Sequence, residues 1–209
     1  MREKDYLKLY LVTDRGAARG RDLGWIVGEA VRGGVTAVQL REKDIDTRSF
    51  IEEGLRLKAL LGPLGIPLII NDRVDVALAV DADGVHIGQS DMPYGTARRL
   101  LGPDRIIGLS VEDFGQIEEA NLLDVDYIGI SPVFATPTKT DTARPFGLEG
   151  LRKAVGMSAH PTVAIGGINP QTARSVIEAG ADGLAVVSAI VGAVSPEKAA
   201  AELADIIGR

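Results

Sequence analysis

Short apolar runs alternate with longer amphipathic stretches from one end of the chain to the other. The apolar runs are Lys8–Thr13, Ala37–Leu40, Pro67–Ile70, Gly84–Ile87, Ile106–Leu109, Tyr127–Ile130, Thr162–Ile165 and Gly183–Val187. Each is short and rich in β-branched or large apolar residues, the pattern of strands buried on both faces. Between them, Leu23–Arg32, Arg48–Leu61, Val74–Val80, Tyr94–Leu101, Gly115–Leu122, Leu148–Val155, Pro170–Ala179 and Pro196–Ile207 space their apolar residues at helical intervals. Asn169-Pro170 and Ser195-Pro196 each put a capping side chain before a proline at the first helical position. Glycine or Asp-Gly follows several of these helices, at Gly33-Gly34, Asp83-Gly84, Gly180 and Asp182-Gly183.

The count is eight βα units, and alternation of this kind predicts a parallel sheet. The expected fold class is therefore α/β, a (β/α)8 TIM barrel forming a single domain over residues 1–209. A doubly wound open sheet is the structural alternative. No linker, composition shift or low-complexity tract divides the chain.

Composition narrows the chemistry. A chain of 209 residues buries roughly 70% of its surface on folding, enough core to need no staple. A net charge of −6 argues against nucleic acid or an anionic membrane as partner, while leaving room for a local basic pocket. The absence of cysteine removes disulfides, thiolate metal sites and a thiol nucleophile. Two histidines, His86 and His160, cannot build a multi-histidine zinc site, so a metal here would be hard and oxygen-liganded, such as Mg2+. With no signal-peptide pattern and no bilayer-length apolar run, the expected location is the cytoplasm. Composition assigns no oligomeric state.

Barrel chemistry sits where the strands end. After the second strand, alternation puts Gln39, Arg41 and Lys43 on one side and Leu40 on the other, so two cations and an amide converge. This suits a diphosphate; the competing reading is a solvated charge run paired with Glu42 and Asp44. Asp72 and Asp91 follow the third and fourth strands, as magnesium ligands beside that anion site or as caps of the helices that follow. His86 reads as a packed, hydrogen-bonded barrel residue. Ser110 follows the fifth strand, as a contact to a polar substrate edge or as a cap, with no base near it in sequence to make it a nucleophile. The polar stretch from Phe134 to Pro145, with Thr136, Thr138 and Lys139, reads as a lid with its own anion-binding set. Gly166-Gly167 and Val187-Ser188 end the last two strands, where barrels often hold a phosphate. Two anion sites with a lid between them fit an enzyme that joins two phosphorylated small molecules.

At these positions the chain resembles the thiamin phosphate synthase family. The resemblance is carried by Val38-Gln-Leu-Arg-Glu-Lys43, Ile69-Ile-Asn-Asp-Arg73, Gly84-Val-His-Ile-Gly-Gln-Ser-Asp91, Gly108-Leu-Ser110, Val133-Phe-Ala-Thr-Pro-Thr-Lys139, Ala164-Ile-Gly-Gly-Ile168 and Val186-Val-Ser188, in order along nearly the whole chain. It implies coupling of 4-amino-2-methyl-5-(diphosphooxymethyl)pyrimidine to 4-methyl-5-(2-phosphooxyethyl)thiazole or its carboxylated form, giving thiamin phosphate and diphosphate through a pyrimidinylmethyl cation. It further implies that Gln39, Leu40, Arg41, Glu42, Lys43, Asn71, Ser110 and Lys139 contact the pyrimidine diphosphate. Arg41, Lys43, Ser110 and Lys139 are then the catalytic set, and Asp72 and Asp91 bind Mg2+. Thr136, Pro137, Thr138, Gly167, Val187 and Ser188 would hold the thiazole phosphate. A related thiazole tautomerase carries a histidine just after the strand-five serine; here Val111-Glu112 follow Ser110. A non-catalytic sensor of thiamin phosphate is the alternative from another class, and the full set of cationic and acidic residues argues against it.

Overall fold

The computed structural model describes residues 4–135 and 144–208. Eight parallel strands close into a barrel in sequence order: β1 (Leu9–Val12), β2 (Ala37–Leu40), β3 (Leu68–Asn71), β4 (Gly84–Ile87), β5 (Ile106–Val111), β6 (Tyr127–Ile130), β7 (Thr162–Ile165) and β8 (Gly183–Val186). Closure is through β1 and β8, with Tyr10 opposite Ala185. The open sheet is thereby excluded and the (β/α)8 TIM barrel established.

Every strand is buried on both faces, and the two faces have different neighbours. Leu9, Leu11, Val38, Leu40, Ile70, Val85, Ile107, Ile128 and Leu184 point outward and pack with the helices in one continuous apolar layer. Tyr10, Val12, Ala37, Ile69, Ile106, Tyr127, Val163 and Ala185 point inward and form a separate cluster on the barrel axis. The period-two alternation thus becomes two cores, one inside the sheet and one around it.

The helices around the sheet are α1 (Arg15–Ala18), α2 (Leu23–Arg32), α3 (Thr47–Leu61), α4 (Val74–Val80), α5 (Tyr94–Leu101), α6 (Phe114–Ala120), α7 (Gly147–Met157), α8 (Pro170–Glu178), α9 (Ser188–Val191) and α10 (Pro196–Ile207). The proline starts behave as expected: Asn169 accepts from the backbone N–H groups of Gln171 and Thr172 in a capping box, and Ser195 accepts from that of Lys198. Two boundaries move for a local reason. Asp46 caps α3, which starts at Thr47, and Asp113 caps α6, which starts at Phe114. The four-residue helices α1 and α9 carry no readable period and were not expected from the sequence. None of the described helices is long and apolar enough to cross a membrane.

Candidate active site

A cavity of about 770 Å3 opens where the strands end. It is lined by inward residues of all eight strands and by the loops that follow several of them. Arg41 and Lys43 reach it from β2, Asn71 and Asp72 from β3, and Asp91 from the loop after β4. Gly166, Gly167, Val187 and Ser188 reach it from β7 and β8, across the barrel from β3 and β4. Thr136, Pro137, Thr138 and Lys139 lie outside the described residues.

The cations at β2 are not a self-paired surface run. Arg41 Nη1 lies 3.2 Å from Asp14 Oδ2, and the Arg41 N–H donates to Thr13 Oγ1 at 3.0 Å. Lys43 Nζ donates to Asp72 Oδ2 at 2.7 Å. Glu42 turns the other way. Its side chain is 3% exposed, it accepts from Arg15 Nε at 2.9 Å, and it is absent from the cavity wall. Burial raises the Glu42 carboxyl above its ordinary pKa despite that arginine. Leu40 likewise packs outward against the helices, so its side chain faces away from the mouth that the resemblance assigned it to.

The two aspartates are not helix caps. The N-cap positions of α4 and α5 are Arg73 and Pro93, and neither helix has a side-chain cap bond. Asp91 instead accepts from the Gly88 N–H at 2.7 Å. Burial, and then the neighbouring Asp72 carboxyl, raise the Asp91 pKa. Asp72 adopts a left-handed backbone, φ 61°, with its N–H bonded to the His86 carbonyl. Two carboxylates therefore face one another with the Lys43 ammonium against them.

Ser110 is no cap either, since Asp113 caps α6. Its Oγ lies 2.8 Å from His86 Nε2, a contact between β4 and β5 that sequence distance concealed. The arrangement is not a Ser-His-Asp triad, because His86 Nδ1 faces the Tyr127 hydroxyl at 2.9 Å and not a carboxylate. Tyr127 also stacks on the His86 ring at 5.5 Å between centroids and meets the Tyr10 hydroxyl at 2.8 Å. Tyr10 accepts from Gln39 Nε2 at 3.0 Å. A polar chain thus crosses the cavity floor from Gln39 to Ser110. Tyr10 and Tyr127 escaped the sequence reading because they stand inside apolar strands. The available signal was parity: Tyr10 shares the inward phase of Val12, and Tyr127 that of Gly129. Room for the Tyr127 ring comes from Gly108, where a Cβ would fall 2.1 Å from Tyr127 Cζ.

At the far rim, Gly167 has φ 68°, and a Cβ there would meet Phe134 Cβ at 2.7 Å. Both constraints demand glycine, the residue that lets a ligand approach the backbone closely.

The thiamine monophosphate synthase profile matches residues 9–190, which carry all of these features. The chain belongs to the thiamine monophosphate synthase family. It is 58% identical to the thiamine-phosphate synthase of Albidiferax ferrireducens over 96% of its own length and 92% of that protein's. It is 53% identical to that of Vibrio parahaemolyticus over 96% and 98%. Among solved structures, the thiamine phosphate pyrophosphorylase of Pyrococcus furiosus superposes with a TM-score of 0.89 at 45% identity, covering 97% of this chain and 96% of that one. Membership in the family makes the protein an enzyme of thiamine biosynthesis, a transferase.

Proposed function

We propose that the enzyme joins 4-amino-2-methyl-5-(diphosphooxymethyl)pyrimidine to 4-methyl-5-(2-phosphooxyethyl)thiazole, or its carboxylated form, by a dissociative route. The observation that carries this reading is one cavity with two unlike anion-binding rims: Arg41 and Lys43 beside two carboxylates, and a glycine backbone across from them. A diphosphate suits the first rim, because Arg offers a two-pronged fork and Lys a point charge. A monophosphate suits the second.

Magnesium fits the donor set at the first rim. Asp72 and Asp91 offer hard oxygens, neither is spent on a helix, and the Lys43 ammonium already sits 2.7 Å from Asp72. Among the described residues no third His, Cys, Asp or Glu joins them. That suits an ion which takes one or two carboxylates and completes its shell with phosphate oxygens and water. When bound, it would neutralise charge on the departing diphosphate.

In the reaction, the C–O bond between the pyrimidinyl methylene and the diphosphate breaks, and its electron pair leaves with the diphosphate. Arg41 and Lys43 stabilise that developing charge. The lone pair of the thiazole nitrogen then forms the new N–CH2 bond to the pyrimidinylmethyl cation. No protein nucleophile is needed, in keeping with a Ser110 whose histidine partner is turned to a phenol. Lys139, by the family resemblance, adds a further cation to the leaving group.

The test is a coupling assay with both substrates and Mg2+, following thiamin phosphate and released diphosphate. Stoichiometric products abolished by EDTA are expected. Tight binding of thiamin phosphate without turnover would indicate a sensor, and aromatisation of a thiazole precursor without coupling would indicate a tautomerase. Full activity in EDTA would remove the metal from the reading.

A further inference from the structure

The floor chain has a direction. Tyr10 and Tyr127 are both fully buried, and burial pushes both phenols well above their ordinary pKa, so each keeps its single proton. Gln39 presents its amide nitrogen to Tyr10 and donates to it. The Tyr10 proton therefore goes to Tyr127, 2.8 Å away, and the Tyr127 proton to His86 Nδ1, 2.9 Å away. An imidazole that accepts at Nδ1 carries its own proton on Nε2, which donates to Ser110 Oγ at 2.8 Å. The hydroxyl of Ser110, having accepted, has its proton left for the cavity. At the other end, Gln39 has spent a donor on Tyr10 and keeps Oε1 as an acceptor. The reverse wiring requires the Gln39 amide to be turned over and His86 protonated on Nδ1.

We propose that Tyr10, Tyr127 and His86 are positioning residues that lock Gln39 as an acceptor and Ser110 as a donor, so that the cavity floor selects a heteroaromatic ring bearing an amine at one edge and an unprotonated ring nitrogen at the other. The proposal rests on the pyrimidine reading above and adds what enforces it. A 4-aminopyrimidine matches both ends. Its 4-oxo analogue sets a carbonyl oxygen against the Gln39 oxygen, an acceptor against an acceptor. The chain opposes relief of the mismatch, because turning the Gln39 amide requires every proton along the chain to reverse and moves the His86 proton to Nδ1.

Two measurements test this. The first is nitrogen NMR of the 15N-histidine-labelled protein, which holds only two histidines, with His86 assigned by its loss in His86→Asn. The expected result is a neutral His86 protonated on Nε2 with a bare Nδ1; an Nδ1–H tautomer overturns the wiring. The second compares the diphosphates of the 4-amino and 4-oxo pyrimidines as substrates in wild type and Tyr127→Phe. That substitution keeps the ring stacked on His86 and removes the link. The preference for the amine, as a ratio of kcat/KM, is expected to fall at least tenfold. The KM for the thiazole phosphate and the Kd of inorganic diphosphate with Mg2+ should stay within twofold. An unchanged preference, or equal losses in all three quantities, overturns the positioning role even if coupling stands. If wild type makes no thiamin phosphate, the substrate reading falls and takes the ring assignment with it, while the tautomer still decides the wiring.

Discussion

Asp72 holds a backbone conformation that most residues avoid, φ 61°, at the rim of the cavity. Asparagine and aspartate tolerate that region better than other non-glycine residues, so Asp72→Asn removes the charge while keeping the turn. If Asp72 ligates magnesium, the substitution should raise the Mg2+ concentration for half-maximal activity at least about tenfold, with the melting temperature little changed. A magnesium titration that overlays wild type would leave Asp72 as no more than the partner of Lys43. A second residue tests the floor from below. Adding a methyl group at Gly108 drives a Cβ to 2.1 Å from the Tyr127 ring, and strands on both sides prevent retreat. Gly108→Ala should destabilise the fold by about 1–3 kcal/mol, the usual cost of overpacking. It should also weaken pyrimidine binding, because the displaced ring carries the His86 hydrogen bond with it. Calorimetric melting and substrate binding together check this, and an unshifted melt would mean the barrel yields at β5 more easily than its pairing suggests.

The short helix α9 borders the site, and α1 packs beside it. Arg21 joins them: its guanidinium donates to the Val191 carbonyl, to the Ala193 carbonyl at 2.6 Å, and to the Ala18 carbonyl at 3.1 Å. It thereby satisfies carbonyls at the ends of both helices, which four-residue helices cannot satisfy for themselves. Ser188, on the cavity wall, begins the helix that Arg21 anchors. Arg21→Ala should therefore raise the KM for the thiazole phosphate several-fold and leave that for the pyrimidine diphosphate nearly unchanged. Equal effects on both substrates would show that the arginine supports the barrel generally. Legibility in the sequence follows the same division of elements. The eight strands and the eight longer helices were readable because each has a period, and several of the helices have a start or stop signal as well. The helices α1 and α9 have neither, being single turns held by a distant arginine. Gln39, Arg41, Lys43, Asp72 and Asp91 were readable because each stands at the end of a strand or within four residues after it. The outward turn of Leu40 follows from the same alternation that placed Arg41, but the burial of Glu42 against Arg15 needs α1, and no local pattern reveals it.

At the scale of the whole molecule, barrel closure is what turns scattered residues into a floor. Gln39, His86 and Ser110 stand on β2, β4 and β5; His86 meets Ser110 directly, and Gln39 reaches them through Tyr10 and Tyr127 on the axis. The outside of the barrel is tied by charge in a comparable way, from one βα unit to the next. Asp22 caps α2, accepts from Trp25 and pairs with Arg56 of α3 at 2.6 Å; Asp75 pairs within its own unit with Arg73, whose Nη2 donates to Thr47 of α3 at 3.0 Å. The arginine in each pair holds the carboxyl below its ordinary range. A carboxyl whose pKa is depressed by folding favours the native state above its unfolded value, near 4, and loses that contribution as the pH falls through the depressed value. The buried Glu42 acts oppositely: its raised pKa favours the native state at low pH and withdraws that support as the pH climbs out of the ordinary carboxylate range. The more numerous depressed groups should dominate below pH 4, so the melting temperature should fall there. Asp22→Asn isolates one of them, since asparagine caps a helix as well as aspartate does but carries no charge for Arg56. Wild type should melt higher than this variant at pH 7 and low salt, and the gap should narrow steadily below pH 4 and shrink with added salt. Equal melting temperatures at pH 7 would mean that Asp22 acts through its cap alone, and that the charge linking α2 to α3 contributes nothing to holding the barrel's outer layer together.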